Sequence, residues 1–308
     1  MTDRPNERIS YFNGEYVPES HVVVPFRDRG FRWGDGAFDT ERTVNGKLFR
    51  LKEHIDRLYR SLRYLKIEVN ETPEEMVAIT EEVVKRNLSL LPEGEDYWVF
   101  QNVSRGADWV GDEPNLRRGP TVIVHVQPIP FRSRAKLYRE GIELMIAPFR
   151  RTPPESQSPR AKLTNYINVT LADMHVKAQN PDAWAGLLDI NGNLNEGTGQ
   201  NLWLVRDGEL YTPRREMILE GVSRDTVIDI AADLGITVHE TDLDLFDSYT
   251  ADEIFLSSTS LCICPVRSID SRRPAQEGIP GPVTRRLMDG YKTLLGYDFE
   301  QQYLQFLD

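Results

Sequence analysis

The chain has 308 residues, of which 40% are hydrophobic and 9% are aromatic, enough for one large or two modest globular domains. Its 37 lysine and arginine residues against 48 aspartate and glutamate residues give a net charge of −11. This sign argues against nucleic acid or an anionic membrane as the main partner, because a basic surface drives both kinds of binding. No segment approaches the ~18 apolar residues of a membrane-spanning helix, and the polar N-terminus predicts a cytoplasmic protein.

The first part of the chain predicts strands and two helices. Short apolar runs around the Asn-Gly pairs at 13–14 and 45–46 predict hairpins within the first 50 residues. Apolar residues between 55 and 65 recur at helical spacing, and the run TPEE at 72–75 is typical of a helix start. The runs YWVFQNV and TVIVHVQPI then predict two strands.

The segment QPIPFRSRAK at 127–136 is rich in proline and basic residues and predicts a domain boundary. We therefore predict a small N-terminal α/β domain at 1–127, an interdomain linker at 128–136 and a larger C-terminal domain at 137–308. Beyond the linker, several predicted strands alternate with three predicted helices. Strands outnumber helices and often follow hairpin-like turns, which favours an α+β (mixed α/β) fold over a doubly wound nucleotide-binding sheet.

The signatures of common hydrolases, zinc proteases and phosphate-binding loops do not occur in the sequence. Cys262 and Cys264 stand two residues apart, but five scattered histidines and no further cysteine leave any metal site incomplete. We interpret the two cysteines as small apolar strand residues and predict no metal.

Four polar residues are candidates for chemistry, although each has an ordinary structural explanation. Lys162 lies between a polar loop and an apolar helix, where partial burial suits an amine to Schiff-base chemistry. Tyr166 follows four residues later, one helical turn away. Glu196 directly precedes a Gly-Thr-Gly run, and Arg57 flanks the apolar face of the first helix.

Two segments offer groups that can bind an anion. Gly221, Val222 and Ser223 stand just ahead of a predicted helix, whose free N–H groups can bind phosphate. The serine- and threonine-rich run at 257–260 ends a predicted strand. Each segment alone is also typical of a cap or a turn.

Taken in chain order, these segments resemble the class IV (fold type IV) pyridoxal-phosphate aminotransferases. This family includes the branched-chain aminotransferases, the D-amino-acid transaminases, the (R)-selective amine transaminases and aminodeoxychorismate lyase. The matching runs are GDGAFDTERTVNGKLFRLKEHIDRLYRSL, AKLTNYIN, LDINGNLNEGTGQNLWLVRDGELYTP, LEGVSRDTVIDIAADLGI and ADEIFLSSTSLCICPVRSID. The resemblance extends over about residues 8–295 and implies a two-domain fold with a strand-rich, barrel-like core in the larger domain.

The resemblance also implies roles for the candidates. Lys162 would form a Schiff base with pyridoxal 5'-phosphate, Glu196 would pair with the pyridine nitrogen, and Tyr166 would hydrogen-bond the phenolic oxygen. The phosphate would be bound by Arg57, Val222, Ser223 and Thr259. Lys162 would move the proton at the substrate α-carbon, pyridoxamine phosphate would carry the amino group, and the protein would be a homodimer.

The substrate is less sharply defined. We predict amino transfer from a hydrophobic, branched-chain-like amino acid or an (R)-primary amine to a 2-oxo acid. The predicted substrate contacts are Phe38, Tyr97, Ser260, Trp33, Arg117 and Arg118. The run at 97–99 keeps the tyrosine of the Y-x-R motif of branched-chain enzymes and lacks its arginine. The alternatives are a D-amino-acid transaminase and an aminodeoxychorismate lyase, in which Thr40 would assist elimination.

Overall fold

A computed structural model of the protein describes residues 7–108 and 119–307. The chain forms two compact units. The first contains the residues up to Ile129 together with the segment Ala161–Tyr166, and the second contains Pro130–Arg160 and the residues from Ile167 onward. The change from one unit to the other at 129–130 falls within the predicted linker, whose later residues belong to a helix. The domain limits given above stay a prediction.

The first unit is built on a six-stranded antiparallel sheet with the strand order β2-β1-β6-β5-β3-β4. The strands are β1 (Ile9–Phe12), β2 (Glu15–Pro18), β3 (Gly36–Val44), β4 (Lys47–Leu48), β5 (Tyr97–Ser104) and β6 (Thr121–Pro128). Its helices are α1 (Arg29–Trp33), α2 (Leu51–Leu65) and α3 (Pro73–Asn87), with short 3-10 turns at Glu19–His21 and Leu88–Leu90.

Helices α2 and α3 pack against one face of this sheet and form a core with it. Helix α3 begins as its sequence predicts, because the Thr72 hydroxyl accepts from the Glu75 N–H while the Glu75 carboxylate accepts from the Thr72 N–H. Helix α2 is more unusual, since it carries two adjacent buried stripes. One stripe is apolar, and the other consists of His54, Arg57 and Ser61 at spacings of three and four residues.

The second unit contains a closed barrel. Its strands are β7 (Ile142–Arg150), β8 (Trp184–Leu188), β9 (Leu194–Gly197), β10 (Asn201–Arg206), β11 (Glu209–Pro213), β12 (Val238–Thr241), β13 (Glu253–Ser258) and β14 (Cys262–Ile269). They follow the order β12-β11-β10-β13-β14-β7-β8-β9, and β9 also pairs with β10. Six strands therefore close into a ring, and β11 and β12 extend it. Continuous burial along β10 and β14 fits strands covered on both faces.

Six helices belong to the described part of the second unit. They are α4 (Phe131–Glu140), α5 (Ile167–Gln179), α6 (Val222–Asp233), α7 (Leu245–Tyr249), α8 (Pro282–Leu295) and α9 (Phe299–Leu304), with a 3-10 turn at Arg215–Met217. The predicted mixed α/β fold with a barrel-like core is thus confirmed. Among the helices within 7–108 and 119–307, none is long and apolar enough to cross a membrane.

Candidate active site

The amine of Lys162 lies beside aromatic side chains in the first unit. Its Nζ is 3.4 Å from the Tyr166 hydroxyl and 4.5 Å from the centre of the Phe38 ring. The Phe38 and Tyr166 rings meet edge to face, with centres 5.3 Å apart. The structure therefore places two of the predicted site residues, Phe38 and Tyr166, around the amine of a third, Lys162.

The Lys162 backbone is anchored to two elements. Its N–H donates to the Ser61 hydroxyl of α2 (3.0 Å), and its carbonyl accepts from the Phe38 N–H of β3 (3.0 Å). The Ser61 hydroxyl donates in turn to the Arg57 carbonyl (3.0 Å). Because Ser61 bonds to both chain segments, it couples the position of Lys162 to the helical turn that carries Arg57.

Arg57 is buried and forms a two-bond ion pair with Asp39. Its Nε and one terminal nitrogen donate to the two oxygens of the Asp39 carboxylate at 2.8 and 2.7 Å, a geometry that fixes the guanidinium plane. Burial raises the pKa of the Asp39 carboxyl group, but the charge of Arg57 and a hydrogen bond from His54 outweigh this effect and lower the pKa below its usual range. Asp39 is therefore ionised at neutral pH.

His54 supplies a third bond to Asp39. Its Nδ1 is 2.7 Å from Asp39 Oδ1, and since an ionised carboxylate only accepts, Nδ1 carries the proton. Burial lowers the pKa of His54, and the positive charges of Arg57 and Lys162 add to this effect against the opposing influence of Asp39. His54 is thus a neutral donor at neutral pH.

The predicted substrate contacts of the first unit do not all lie together. Phe38 pairs with Asn102, so the alternation along β5 places Trp98 and Phe100 on the Phe38 face and Tyr97 on the opposite face. Tyr97 is buried there, and its hydroxyl donates to the Asn87 carbonyl (3.0 Å). Trp33, at the end of α1, is 56% exposed in the single chain. The substrate roles of Tyr97 and Trp33 stay predictions.

In the second unit, Glu196 is held at both carboxylate oxygens. Oε1 accepts from Arg151 Nε (2.8 Å), and Oε2 accepts from the Leu219 N–H (3.1 Å). Glu196 lies on β9, and its neighbour across the strand pair is Asn201 of β10. Its carboxylate therefore has a fixed orientation within the barrel.

The predicted phosphate-binding turn at 221–223 begins two residues after Leu219. Asn201 Nδ2 donates to the Leu219 carbonyl (3.0 Å), which ties this turn to β10. Gly221 is the N-cap of α6 and has no side chain to accept from the first N–H groups, those of Val222 and Ser223. A Cβ atom at Gly221 would clash with Asn201 Oδ1, so a larger residue here would displace the Asn201 side chain that ties the turn to β10.

Thr259 and Ser260 lie in the turn between β13 and β14. The Ser260 hydroxyl accepts from Arg134 of α4 (2.7 Å), and its carbonyl accepts from the Tyr303 hydroxyl of α9 (2.7 Å). The next carbonyl, that of Leu261, accepts from the Tyr138 hydroxyl of α4 (2.5 Å). Side chains from two helices thus fix the turn.

Arg117 and Arg118 lie outside the described residues.

These residues fit pyridoxal phosphate by the chemistry of their donor set. The cofactor presents an aldehyde, a phenolic oxygen, a ring nitrogen and a phosphate dianion. An amine and a phenol stand 3.4 Å apart, a carboxylate is held at both oxygens, and a glycine cap leaves helix N–H groups for an anion. A buried arginine adds a second group suited to phosphate.

Sequence reasoning missed the residues that hold the predicted ones in place, chiefly Asp39, Ser61 and Arg151. The polar stripe of α2 at spacings of three and four residues is a signal that could have identified His54 and Ser61. The partners Asp39 and Arg151 belong to other segments, and their sequence context offers no such signal.

Comparison with known proteins identifies the family. The family model described as "Amino-transferase class IV" matches residues 36–269. A putative branched-chain-amino-acid aminotransferase of Methanocaldococcus jannaschii is 36% identical over 285 residues, covering 92% of this chain and 95% of that protein. The D-alanine aminotransferase of Bacillus licheniformis is 29% identical over 277 residues, covering 90% and 93%.

Solved structures give the same result. The crystal structure of the Escherichia coli branched-chain amino acid aminotransferase has a TM-score of 0.84 at 29% identity, covering 94% of this chain and 95% of that chain. The T.th. branched-chain amino acid aminotransferase with pyridoxamine 5'-phosphate has a TM-score of 0.82 at 32% identity, with the same coverage.

The barrel, the amine and the held carboxylate define a transaminase that uses pyridoxal phosphate. The chain belongs to the class IV aminotransferases, and the predicted family, enzyme class and cofactor are thereby confirmed.

Proposed function

We propose that this enzyme transfers the amino group of a hydrophobic, branched-chain-like amino acid to a 2-oxo acid, with Lys162 as the residue that binds the cofactor covalently. The observation that carries the proposal is the Lys162 amine, 3.4 Å from the Tyr166 hydroxyl on a segment tied to both α2 and β3. An anchored backbone and a flexible side chain suit a group that must stay near the reacting carbon and still move.

The other predicted residues would hold the cofactor. We propose that Arg57, Val222, Ser223 and Thr259 bind its phosphate, Tyr166 its phenolic oxygen and Glu196 its ring nitrogen. When bound, the cofactor supplies a ring that withdraws electrons from the substrate α-carbon. Lys162 would then take the proton from that carbon and deliver it to the carbon that carries the aldehyde in the free cofactor, since the amine is the general base and acid of the set. Glu196, held at both oxygens, keeps a proton on the ring nitrogen.

The substrate preference rests on the Phe38 face of the first sheet. Phe38, Trp98 and Phe100 lie on this face, and Phe38 borders the Lys162 amine. The Phe38 ring next to the Lys162 amine favours an apolar substrate group. The relatives named as branched-chain aminotransferases support the same choice. An (R)-primary amine presents a similar apolar group and is the second donor that we predict.

Two alternatives have a specific observation in their favour. The relative named D-alanine aminotransferase supports a D-amino-acid donor. Thr40 lies on the same face of β3 as Phe38, two residues further along, which suits the lyase reaction. A panel of leucine, D-alanine, (R)-1-phenylethylamine and aminodeoxychorismate distinguishes these activities. Amino transfer from leucine to a 2-oxo acid as the fastest reaction supports the proposal, and pyruvate release from aminodeoxychorismate alone contradicts it.

The covalent role of Lys162 has its own test. Borohydride reduction of the enzyme with bound cofactor, followed by peptide mass spectrometry, should place the reduced pyridoxyl group on Lys162. The Lys162→Ala variant should lose the absorbance band at roughly 400–430 nm and the labelled peptide. Lys177→Ala is the matched control, since Lys177 is exposed on α5 and pairs with Asp173. A label on another lysine contradicts the assignment.

We also propose a homodimer in the cytoplasm. Ile167, Leu171 and Met174 form an exposed apolar stripe on α5, at spacings of four and three residues. Such a stripe on a helix surface is typical of a protein interface, and a second copy of this chain is the partner expected from the family resemblance.

A further inference from the structure

The ion pair between Asp39 and Arg57 is almost completely buried, more than ligand binding by Arg57 alone would require. Asp39 is 0% exposed and Arg57 is 3% exposed. Taking two charges out of water is unfavourable unless their mutual attraction and further hydrogen bonds compensate. Here the compensation consists of the two Arg57 bonds and the His54 bond, all between 2.7 and 2.8 Å. These three side-chain bonds converge on one carboxylate.

This geometry restricts the guanidinium. A long arginine side chain has many rotamers, and a two-bond contact with a carboxylate fixes both the position and the plane of its guanidinium. The carboxylate itself is held by His54 and by the Thr40 N–H, which donates to Asp39 Oδ1 (2.7 Å). The orientation of Arg57 is therefore set by the strand and helix beneath it before any ligand arrives.

The same cluster does not have the charge balance of a metal site. Ligand atoms of Asp39, Glu41 and His54 lie within 4.8 Å of one another, but the guanidinium of Arg57 already bonds to both oxygens of Asp39. A metal cation bound to the Asp39 carboxylate would be repelled by the guanidinium of Arg57, which lies at hydrogen-bond distance from the same carboxylate.

We propose that Asp39, supported by His54, is a positioning residue that orients Arg57 toward the phosphate group of the cofactor. The Asp39–His54 pair thereby sets how strongly the enzyme prefers pyridoxal phosphate to pyridoxal, which lacks the phosphate. This inference rests on the proposed role of Arg57 in phosphate binding. The effect should be confined to binding of the phosphate, because Lys162 and Tyr166 would bind the aldehyde and the phenolic oxygen, which both compounds carry.

Asp39→Asn is the direct test, because asparagine keeps the shape of the side chain and removes its charge. Glu41→Gln is the matched control. Glu41 lies on the same strand and the same face, is equally buried, and bonds to Gln101 instead of Arg57. The dissociation constants of pyridoxal phosphate and of pyridoxal are measured by absorbance titration of the cofactor-free protein, and circular dichroism verifies the fold of each variant.

In Asp39→Asn we expect the dissociation constant of pyridoxal phosphate to rise about tenfold to a hundredfold, the range found when a hydrogen-bonding partner behind a metal ligand is removed. The constant for pyridoxal should stay within about twofold, because that compound has no phosphate for Arg57 to bind. Glu41→Gln should change neither constant. A preference for the phosphorylated compound that is unchanged in Asp39→Asn overturns the inference, as does an equal loss of both affinities.

Two further results complete the design. If Asp39→Asn does not fold, His54→Gln is measured instead. The preference of this variant for pyridoxal phosphate over pyridoxal should fall about threefold, as expected for one neutral hydrogen bond. An unchanged preference in His54→Gln also overturns the inference. A failure of the proposed role of Arg57 is distinguishable through Arg57→Gln, which would then keep the wild-type preference for pyridoxal phosphate. If Arg57 does bind the phosphate, Arg57→Gln loses this preference even where Asp39→Asn keeps it.

Discussion

Arg151 and Glu196 form an almost fully buried ion pair, with Arg151 Nε 2.8 Å from Glu196 Oε1 and side chains that are 12% and 9% exposed. Arg151 follows β7 and Glu196 lies on β9, so the pair links two segments of the barrel unit. A carboxylate in this position keeps its orientation only while both of its partners remain. The pair therefore contributes to the stability of the second unit as well as to the candidate site.

Replacing Arg151 tests this contribution. In Arg151→Gln we expect the free energy of unfolding to fall by about 2 kcal/mol, because a nearly buried carboxylate loses its charged partner. The measurement is urea denaturation of the cofactor-free protein. Arg160→Gln is the control, since Arg160 pairs with Glu220 at 2.9 Å but is 53% exposed, and it should cost less than about 1 kcal/mol. Equal losses in the two variants would contradict the expected effect of burial.

Ser61 offers a second test, at the point where α2 meets the Lys162 segment. Ser61→Ala removes the acceptor of the Lys162 N–H and the donor to the Arg57 carbonyl. We expect a loss of about 1–2 kcal/mol in the free energy of unfolding, because a partly buried N–H group is left without its partner. A slower covalent reaction of Lys162 with pyridoxal phosphate should accompany it.

Ser248→Ala is the matched control for Ser61→Ala. Both serines are 1% exposed, and the Ser248 hydroxyl likewise donates to a backbone carbonyl of its own helix, that of Leu245 (2.9 Å). Ser248 belongs to the second unit, whereas Lys162 belongs to the first. Its replacement should cost about 1 kcal/mol or less and leave the reaction rate with pyridoxal phosphate unchanged. If both variants slow the reaction equally, the special role of Ser61 is wrong.

The pH dependence of stability provides a third prediction, through Glu41. Burial raises the pKa of the Glu41 carboxyl group well above its usual value near 4.5, and the nearby charge of Asp39 raises it further. A raised pKa means that the folded protein binds more protons than the unfolded chain, so stability falls as the pH rises above about 4.5. Glutamine removes this proton equilibrium. Glu41→Gln should therefore gain stability relative to the wild type as the pH increases from about 5 to 8.

Glu300 gives the control of opposite sign. Burial raises the pKa of its carboxyl group, but hydrogen bonds from Arg285 and Lys292 outweigh this effect and lower the pKa overall. Its stabilising contribution is present above the usual pKa and is lost as the pH falls. Glu300→Gln should therefore lose stability relative to the wild type as the pH rises toward about 4.5, and the difference should change little from about 5 to 8. Thermal unfolding of both variants at several pH values measures the two slopes, and slopes of the same sign would refute the assignment for Glu41.

The sequence predicted the fold class and the cofactor because these depend on contiguous runs. The apolar face of α2, the capping box of α3 and the Gly-Thr-Gly run after Glu196 are local patterns, and the family resemblance joins them in order. Closure of the barrel was harder to predict from the sequence, because it depends on the pairing of β9 with β10 through one residue pair, Glu196 and Asn201.

The supporting contacts could not be predicted in the same way. Asp39 and Arg57 are 18 residues apart on different elements, and Arg151 and Glu196 are 45 residues apart. Hydrophobic periodicity identifies which residues face a core, but it does not identify the partner of a buried charge. The faces of β5 could not be assigned from its sequence alone either. Only the register with β3 shows that Trp98 lies on the Phe38 face of the sheet and Tyr97 on the opposite face.

The last prediction concerns the exposed stripe on α5. Ile167 and Met174 are 68% and 62% exposed in the single chain, and covering a methionine side chain is worth about 1.5–3 kcal/mol. Met174→Glu should weaken the proposed dimer about tenfold or more, because burial of the new carboxylate is costly. Gln179→Glu is the control, since it adds the same charge at another exposed position of this helix. Light scattering over a range of concentrations should show dissociation of Met174→Glu alone. A wild-type protein that is monomeric at all concentrations rules out the dimer, and an equally dimeric Met174→Glu excludes this stripe from its interface.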